Sequence, residues 1–362
     1  MKKYKVCVYA ICKNESQFVE RWMDSVKEAD EVFVLDTGST DDTVKKLKDL
    51  GAKVTIEVFN PWRFDKARNR SLELVPDDCD ICVCTDLDEV IEPGWREKLE
   101  EIWDPETNCL SYNYNWSFDK YGKPAVNFYI EKIHDRHNYL WYHPVHEVLK
   151  FTKEGPEIKK VTNEITVNHY PDNTKPRSQY LSLLELSVEE DPEDDRNMHY
   201  LGREYMFNQK WFEAINTFHK HLKLPKAVWK PERCASMRFM GRCYNELGYT
   251  EETMMWFERS IMEYPEGREG YVELSLLEYF NENYNRAYFV LKEALKIEER
   301  SKIYINENFC WDSTIYDVLS VCAFNLKKYE EAYEYIKQAV KLNPDDKRLK
   351  KNKNIIKKNI KK

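Results

Sequence analysis

Residues 80–89 read DICVCTDLDE. The apolar run through Cys84 is fit for a short buried strand, and Asp86 and Asp88 stand just beyond it. Residues two apart share a face in a strand, so at a strand end the two carboxylates turn toward one point. Like charges that converge repel each other unless a cation lies between them. Aspartate is equally at home as a solvated turn residue, so the meaning of this stretch depends on what the rest of the chain builds around it.

Upstream, strand and helix signals alternate. KVCVYAIC predicts a buried strand, and ESQFVERWMDSV sets Phe18, Val19, Trp22 and Val26 on one helical face. EVFVLD is a second strand, DDTVKKLKDL a helix stopped by Gly51, and AKVTIEVF a third strand. FDKARNRSLELV supplies another helix before the strand that leads to Asp86. Strands separated by helical segments of this length predict parallel crossover units, hence an α/β sheet covered on both faces. Such sheets gather ligands beyond the carboxyl ends of their strands. Asn14 and Glu15, Asp36, and the Asp86/Asp88 pair all fall at that edge, which turns the reading of the aspartates toward a site.

From about residue 108 to 170 the pattern becomes strand-rich and aromatic, in CLSYNYNWSF, AVNFYIEKIH, HEVLKF and EITVNHY. These predict antiparallel additions to the sheet. They carry His134, His137, His143, His146 and His169, five of the chain's eight histidines. After YPDNTKPRSQ only helical patterns remain. Small residues recur twelve apart as Gly202/Ala214, Gly241/Thr253, Ser275/Ala287 and Ser320/Ala332, with Pro225, Pro265 and Pro344 near the unit ends. This resembles tetratricopeptide repeats, whose small residues let paired helices approach closely. The expected division is a sheet domain over 1–175 and an all-helical repeat domain over 176–362 with a basic tail, KRLKKNKNIIKKNIKK.

The composition sets limits. A chain of 362 residues with 42% hydrophobic and 33% charged residues supports two soluble cores. Its formal charge of −8 disfavours nucleic acid as a partner. No apolar run reaches membrane-spanning length. The polar KNESQ ends the first apolar run too early for a signal peptide, so a cytoplasmic location is expected. The basic tail reads as a solvated capping helix or as a peripheral contact with an anionic membrane face. Ten scattered cysteines fit buried thiols better than a disulfide framework. Cys79 and Cys82 have no second pair with which to complete a zinc site.

ICKNES after the first strand, VLDTGSTDDT after the second, FDKARN in the third crossover and CTDLDE after the fourth together resemble glycosyltransferase family 2, of GT-A fold, over about residues 5–170. The resemblance implies a mixed, mainly parallel sheet and a nucleotide-diphosphate sugar donor, a UDP-sugar, with Mn2+ or Mg2+. It implies Asp88 as direct metal ligand, Asp86 on the ribose or on the metal through water, Asp36 on the base, and Arg68 and Asn69 facing the donor. Asn14 and Glu15 would line the nucleotide site. The family's inverting reaction needs a base for the acceptor proton: Glu147 leads, with Glu89 beside the metal pair as the other candidate. His146 is the expected third metal ligand and His169 the second option. Neighbours on a strand face opposite ways, so His146 and Glu147 can share the site only if the chain bends there.

The acceptor would be a glycan, a lipid-linked saccharide or a peptide, with the repeats as acceptor cradle or homodimer surface. Two other classes compete. A repeat-based interaction protein would need no carboxylate pair. A nucleotidyltransferase would want a glycine-rich phosphate loop, and ICKNES contains no glycine.

Overall fold

The computed structural model describes residues 3–172 and 179–360. Val6–Cys12 forms β1, buried along its whole length. Its alternate residues enter two different cores. Val6, Val8 and Ala10 pack with Trp22, Val34 and Trp95, while Cys7 and Tyr9 pack with Phe33, Cys82, Cys84 and Trp141. A strand covered on both faces has no polar side to show, which is why its sequence is an unbroken apolar run.

In chain order the N-terminal elements are α1 (Val19–Val26), β2 (Glu31–Asp36), α2 (Thr43–Asp49), β3 (Lys53–Ile56), α3 (Phe64–Glu73), β4 (Ile81–Cys84), β5 (Glu89–Ile91) and α4 (Trp95–Ile102). They continue with β6 (Cys109–Phe118), β7 (Pro124–Asp135), β8 (Tyr139–Tyr142), β9 (Val148–Phe151) and β10 (Lys159–His169). One mixed sheet runs β3-β2-β1-β4-β7-β6-β10-β5, and β8 pairs with β9 apart from it. β1 pairs in parallel with β2 and β4, and β2 with β3. β7 inserts antiparallel between β4 and β6. β10, expected to run antiparallel, lies parallel to β6. The third strand stops at Ile56, short of the Phe59 expected from its apolar pattern. Val58 is 69% exposed there, so nothing rewards further pairing. All ten cysteines are buried and unpaired.

The chain folds as two compact units, Met1–Ser187 and Val188–Lys362. The boundary expected between residues 175 and 176 lies outside the described residues. α5 (Tyr180–Glu190) leads into the second unit. There the helices are α6 (Asp195–Phe207), α7 (Trp211–Lys223), α8 (Lys230–Glu246), α9 (Thr250–Glu263), α10 (Arg268–Phe280), α11 (Tyr284–Ala294), α12 (Thr314–Asn325), α13 (Tyr329–Leu342) and α14 (Lys347–Ile360).

Each predicted small pair sits at the crossing of two consecutive helices. A Cβ on Gly202 would come within 2.6 Å of the Phe218 ring, and one on Gly241 within 2.5 Å of Phe257. Close approach therefore explains glycine inside these helices, where it would otherwise cost about 1 kcal/mol against alanine. The segment between α11 and α12 lies against α8: Glu307 accepts from Arg238 and Arg242, and the Tyr304 hydroxyl donates to Glu232. α14, the basic tail, buries Leu349 and Ile356 in the last helical core. No helix among the described residues is long and apolar enough to cross a membrane.

Candidate active site

The carboxyl ends of β1, β2 and β4 converge as their parallel pairing requires. After β1, Asn14 takes a left-handed backbone (φ 53), which asparagine tolerates better than most residues. Its Oδ1 accepts from the Thr40 amide at 2.7 Å, and its own amide donates to Ser39 Oγ at 2.8 Å. The Glu15 amide donates to Thr43 Oγ1 at 2.8 Å. The loops after β1 and β2 are thus fastened to each other. Asp36 is fully buried. Its Oδ1 accepts from the amides of Gly38 (3.0 Å) and Ser39 (2.9 Å), and its Oδ2 from the Ser39 hydroxyl. Asp36 itself ties the turn, in the manner of an Asx turn.

At the end of β4 a charge cluster forms. Arg68, from α3, sets Nη2 at 2.6 Å from Asp86 Oδ1 and Nε at 3.0 Å from Glu147 Oε1. Lys132 Nζ, from β7, lies 3.0 Å from Asp86 Oδ2 and 2.8 Å from Glu89 Oε1. Burial opposes ionisation of Asp86, but the Arg68 and Lys132 charges overcome it and hold its pKa well below the usual carboxylate range. Burial likewise works against the Lys132 charge, and Asp86 and Glu89 outweigh it, raising its pKa.

Glu89 is 1% exposed. It also accepts from the Tyr114 hydroxyl at 2.7 Å and the Asp86 amide at 3.0 Å, the surroundings of a fixed counter-charge. Asn69, next to Arg68 in sequence, points elsewhere: its side chain exchanges two 2.8 Å hydrogen bonds with the backbone of Trp141.

Asp88 meets a different partner. Its Oδ2 lies 3.4 Å from Nε2 of His169, at the end of β10. His169 Nδ1 is 3.0 Å from the Trp116 carbonyl, and its ring stacks on Trp116 at 4.5 Å. A carbonyl only accepts, so Nδ1 carries a proton. Burial opposes a second one on Nε2, but the Asp88 carboxylate outweighs it and raises the His169 pKa. A cation that displaces this Nε2 proton would meet a lone pair aimed toward Asp88. That is the arrangement in which metal-ligating histidines are usually held. His146 stands in the bend before β9, with φ 52 and its ring 5.8 Å from that of Tyr180. The chain does bend there, so strand alternation does not govern His146 and Glu147. The ligand atoms of Asp86, Asp88 and His146 do not gather within 4.8 Å of one another.

The donor set fits a hard divalent cation at Asp88, with His169 as its nitrogen neighbour. Four carboxylates (Asp86, Asp88, Glu89, Glu147) face two permanent cations, Arg68 and Lys132, which leaves negative charge for such an ion to balance. Lys132 is the residue that sequence reasoning missed. In AVNFYIEKIH it reads as the solvent side of an alternating strand, and only the insertion of β7 beside β4 brings it to Asp86.

Residues 7–152 match the model of glycosyl transferase family 2, and residues 313–346 match a tetratricopeptide repeat. An uncharacterized glycosyltransferase of Rickettsia conorii is 22% identical over 71% of this chain and 79% of its own length. One of Rickettsia bellii is 35% identical over 27% of this chain and 33% of its own. Among solved structures, MamA of Desulfovibrio magneticus is 14% identical, covering 47% of this chain and 87% of its own, with a TM-score of 0.37. The family match identifies residues 7–152 as a glycosyltransferase domain. The N-terminal unit carries a family 2 glycosyltransferase domain, and tetratricopeptide repeats follow it.

Proposed function

We propose that this enzyme transfers a sugar, with inversion, from a nucleotide-diphosphate donor of the UDP-sugar type to a hydroxyl on a glycan, lipid-linked saccharide or peptide. The observation that supports the reading is the cluster beyond β4, where Asp86 is clamped by Arg68 and Lys132 while Asp88 stands free of that clamp and faces His169. Mn2+ or Mg2+ held by Asp88 and His169 would supply a Lewis acid toward the leaving diphosphate. The guanidinium of Arg68 offers forked donors suited to phosphate oxygens, and Lys132 adds a second fixed positive charge. Asp36 and Asn14 shape the base end of the site by holding the two loops together. Glu147 is the acceptor base; its contact with Arg68 keeps the carboxylate oriented, and its side chain is 12% exposed.

The test is a thermal-unfolding screen of nucleotide diphosphates with and without Mn2+, since ligands that bind only the folded chain raise its apparent stability. UDP with Mn2+ is expected to raise the midpoint of the native chain. Asp88→Asn is expected to keep the fold and lose the metal-dependent part of the shift. An equal shift in both proteins would remove Asp88 from metal binding.

A further inference from the structure

Within the helical unit, three side chains from three consecutive helices meet. Asp195 opens α6, His221 lies in the last turn of α7, and Glu232 lies in the first turn of α8. Their ligand atoms all fall within 4.8 Å of one another, the only such group of three or more histidine, cysteine or acidic side chains among the described residues. Acids are favoured in the first turn of a helix on dipole grounds alone, so the cluster by itself decides nothing.

His221 adds the second observation. It is fully buried, and its Nε2 forms no hydrogen bond although Glu232 Oε1 is 3.3 Å away. The far side of the ring is held: His221 Nδ1 lies 2.9 Å from Ser236 Oγ, and the same oxygen lies 2.7 Å from His199 Nδ1. A hydroxyl between two imidazoles gives its one proton to one ring and accepts from the other. When the proton goes to His199, Nδ1–H of His221 donates to Ser236, and Nε2 presents a lone pair to a carboxylate oxygen. In that tautomer two acceptors face each other and a cation between them satisfies both; in the other, Nε2–H of His221 points at Glu232.

We infer that Asp195, His221 and Glu232 form a binding site for a divalent first-row transition-metal ion of the zinc class. Metal bonds of about 2.0–2.1 Å in a tetrahedral site put neighbouring donor atoms about 3.3 Å apart, and the His221–Glu232 separation already has that value. The surroundings are those that orient metal ligands. Ser236 fixes the His221 ring, and the Tyr304 hydroxyl donates to Glu232 Oε2, turning Oε1 toward the site. Asp195, only partly buried, gives the ion a route from solvent. An ion there would tie α6, α7 and α8 to one another and, through Tyr304, to the segment before α12.

The experiment uses the full chain, stripped with chelator and titrated with Zn2+ by calorimetry and thermal unfolding. The native protein and Asp88→Asn are both expected to bind one equivalent that raises the unfolding midpoint. Asp195→Asn and His221→Gln are expected to lose that equivalent, and Ser236→Ala to bind it at least about tenfold more weakly. Should His221→Gln fail to fold, Asp195→Asn, at a partly exposed helix start, decides the matter alone. Zinc stoichiometry and midpoint unchanged between native and Asp195→Asn would overturn the site, as would a native protein whose midpoint Zn2+ leaves unmoved.

Discussion

Lys132 shows how much one side chain decides at the residue scale. Its side chain is 12% exposed, and its ammonium touches two carboxylates, one of which, Glu89, is almost wholly buried. Removing one partner from a buried ion pair leaves the other charge uncompensated, at a cost of roughly 3–5 kcal/mol. Lys132→Met is therefore expected to lower the urea midpoint by a loss of about 3 kcal/mol with the m-value unchanged, because Arg68 still holds Asp86. An unchanged midpoint would show that Lys132 does not serve as the counter-charge.

At the scale of elements, the helical unit depends on close crossings. Gly241 leaves no room for a side chain beside Phe257. Gly241→Leu should cost about 3 kcal/mol through overpacking, in spite of leucine's better helix propensity, and circular dichroism melting will read it. A midpoint equal to or above the native one would mean that the helices separate there at no cost. These crossings were legible in the sequence because the twelve-residue spacing of small residues is a local, repeated signal.

The parallel strands β1, β2 and β4 were legible too, since burial on both faces leaves an unbroken apolar run. β5 was not: EVI has three residues, and only its pairing with β10 makes it a strand. Nor was the direction of β10, because periodicity carries no information about neighbours. Asp86 and Asp88 could be singled out by their place after a strand. Their separate partners come from strands added far along the chain: Lys132 was not named at all, and His169 only as the second option for the metal, because local patterns do not show which strands lie beside Asp86 and Asp88. The Asp195–His221–Glu232 cluster was hidden for the same reason, its members lying on three helices.

For the molecule as a whole, the division after Ser187 places every residue assigned to sugar transfer in the first unit. A chain ending at Glu190 is expected to fold, to keep its UDP-dependent rise in unfolding midpoint, and to transfer sugar to acceptor far more slowly than the full chain. Acceptor turnover at the native rate would show that the repeats are not needed for it.

Because β7 enters the sheet antiparallel beside β4, the sign of the charge beside Asp86 is set by strand alignment. Side chains alternate along β7, so a slip of one residue exchanges its two faces. One residue added to or removed from the turn joining β6 and β7 could turn Lys132 away and offer a neighbour, the acidic Glu131 or the apolar Ile133. A length change in a remote surface turn would then act on the catalytic edge as a charge substitution, with no residue there altered.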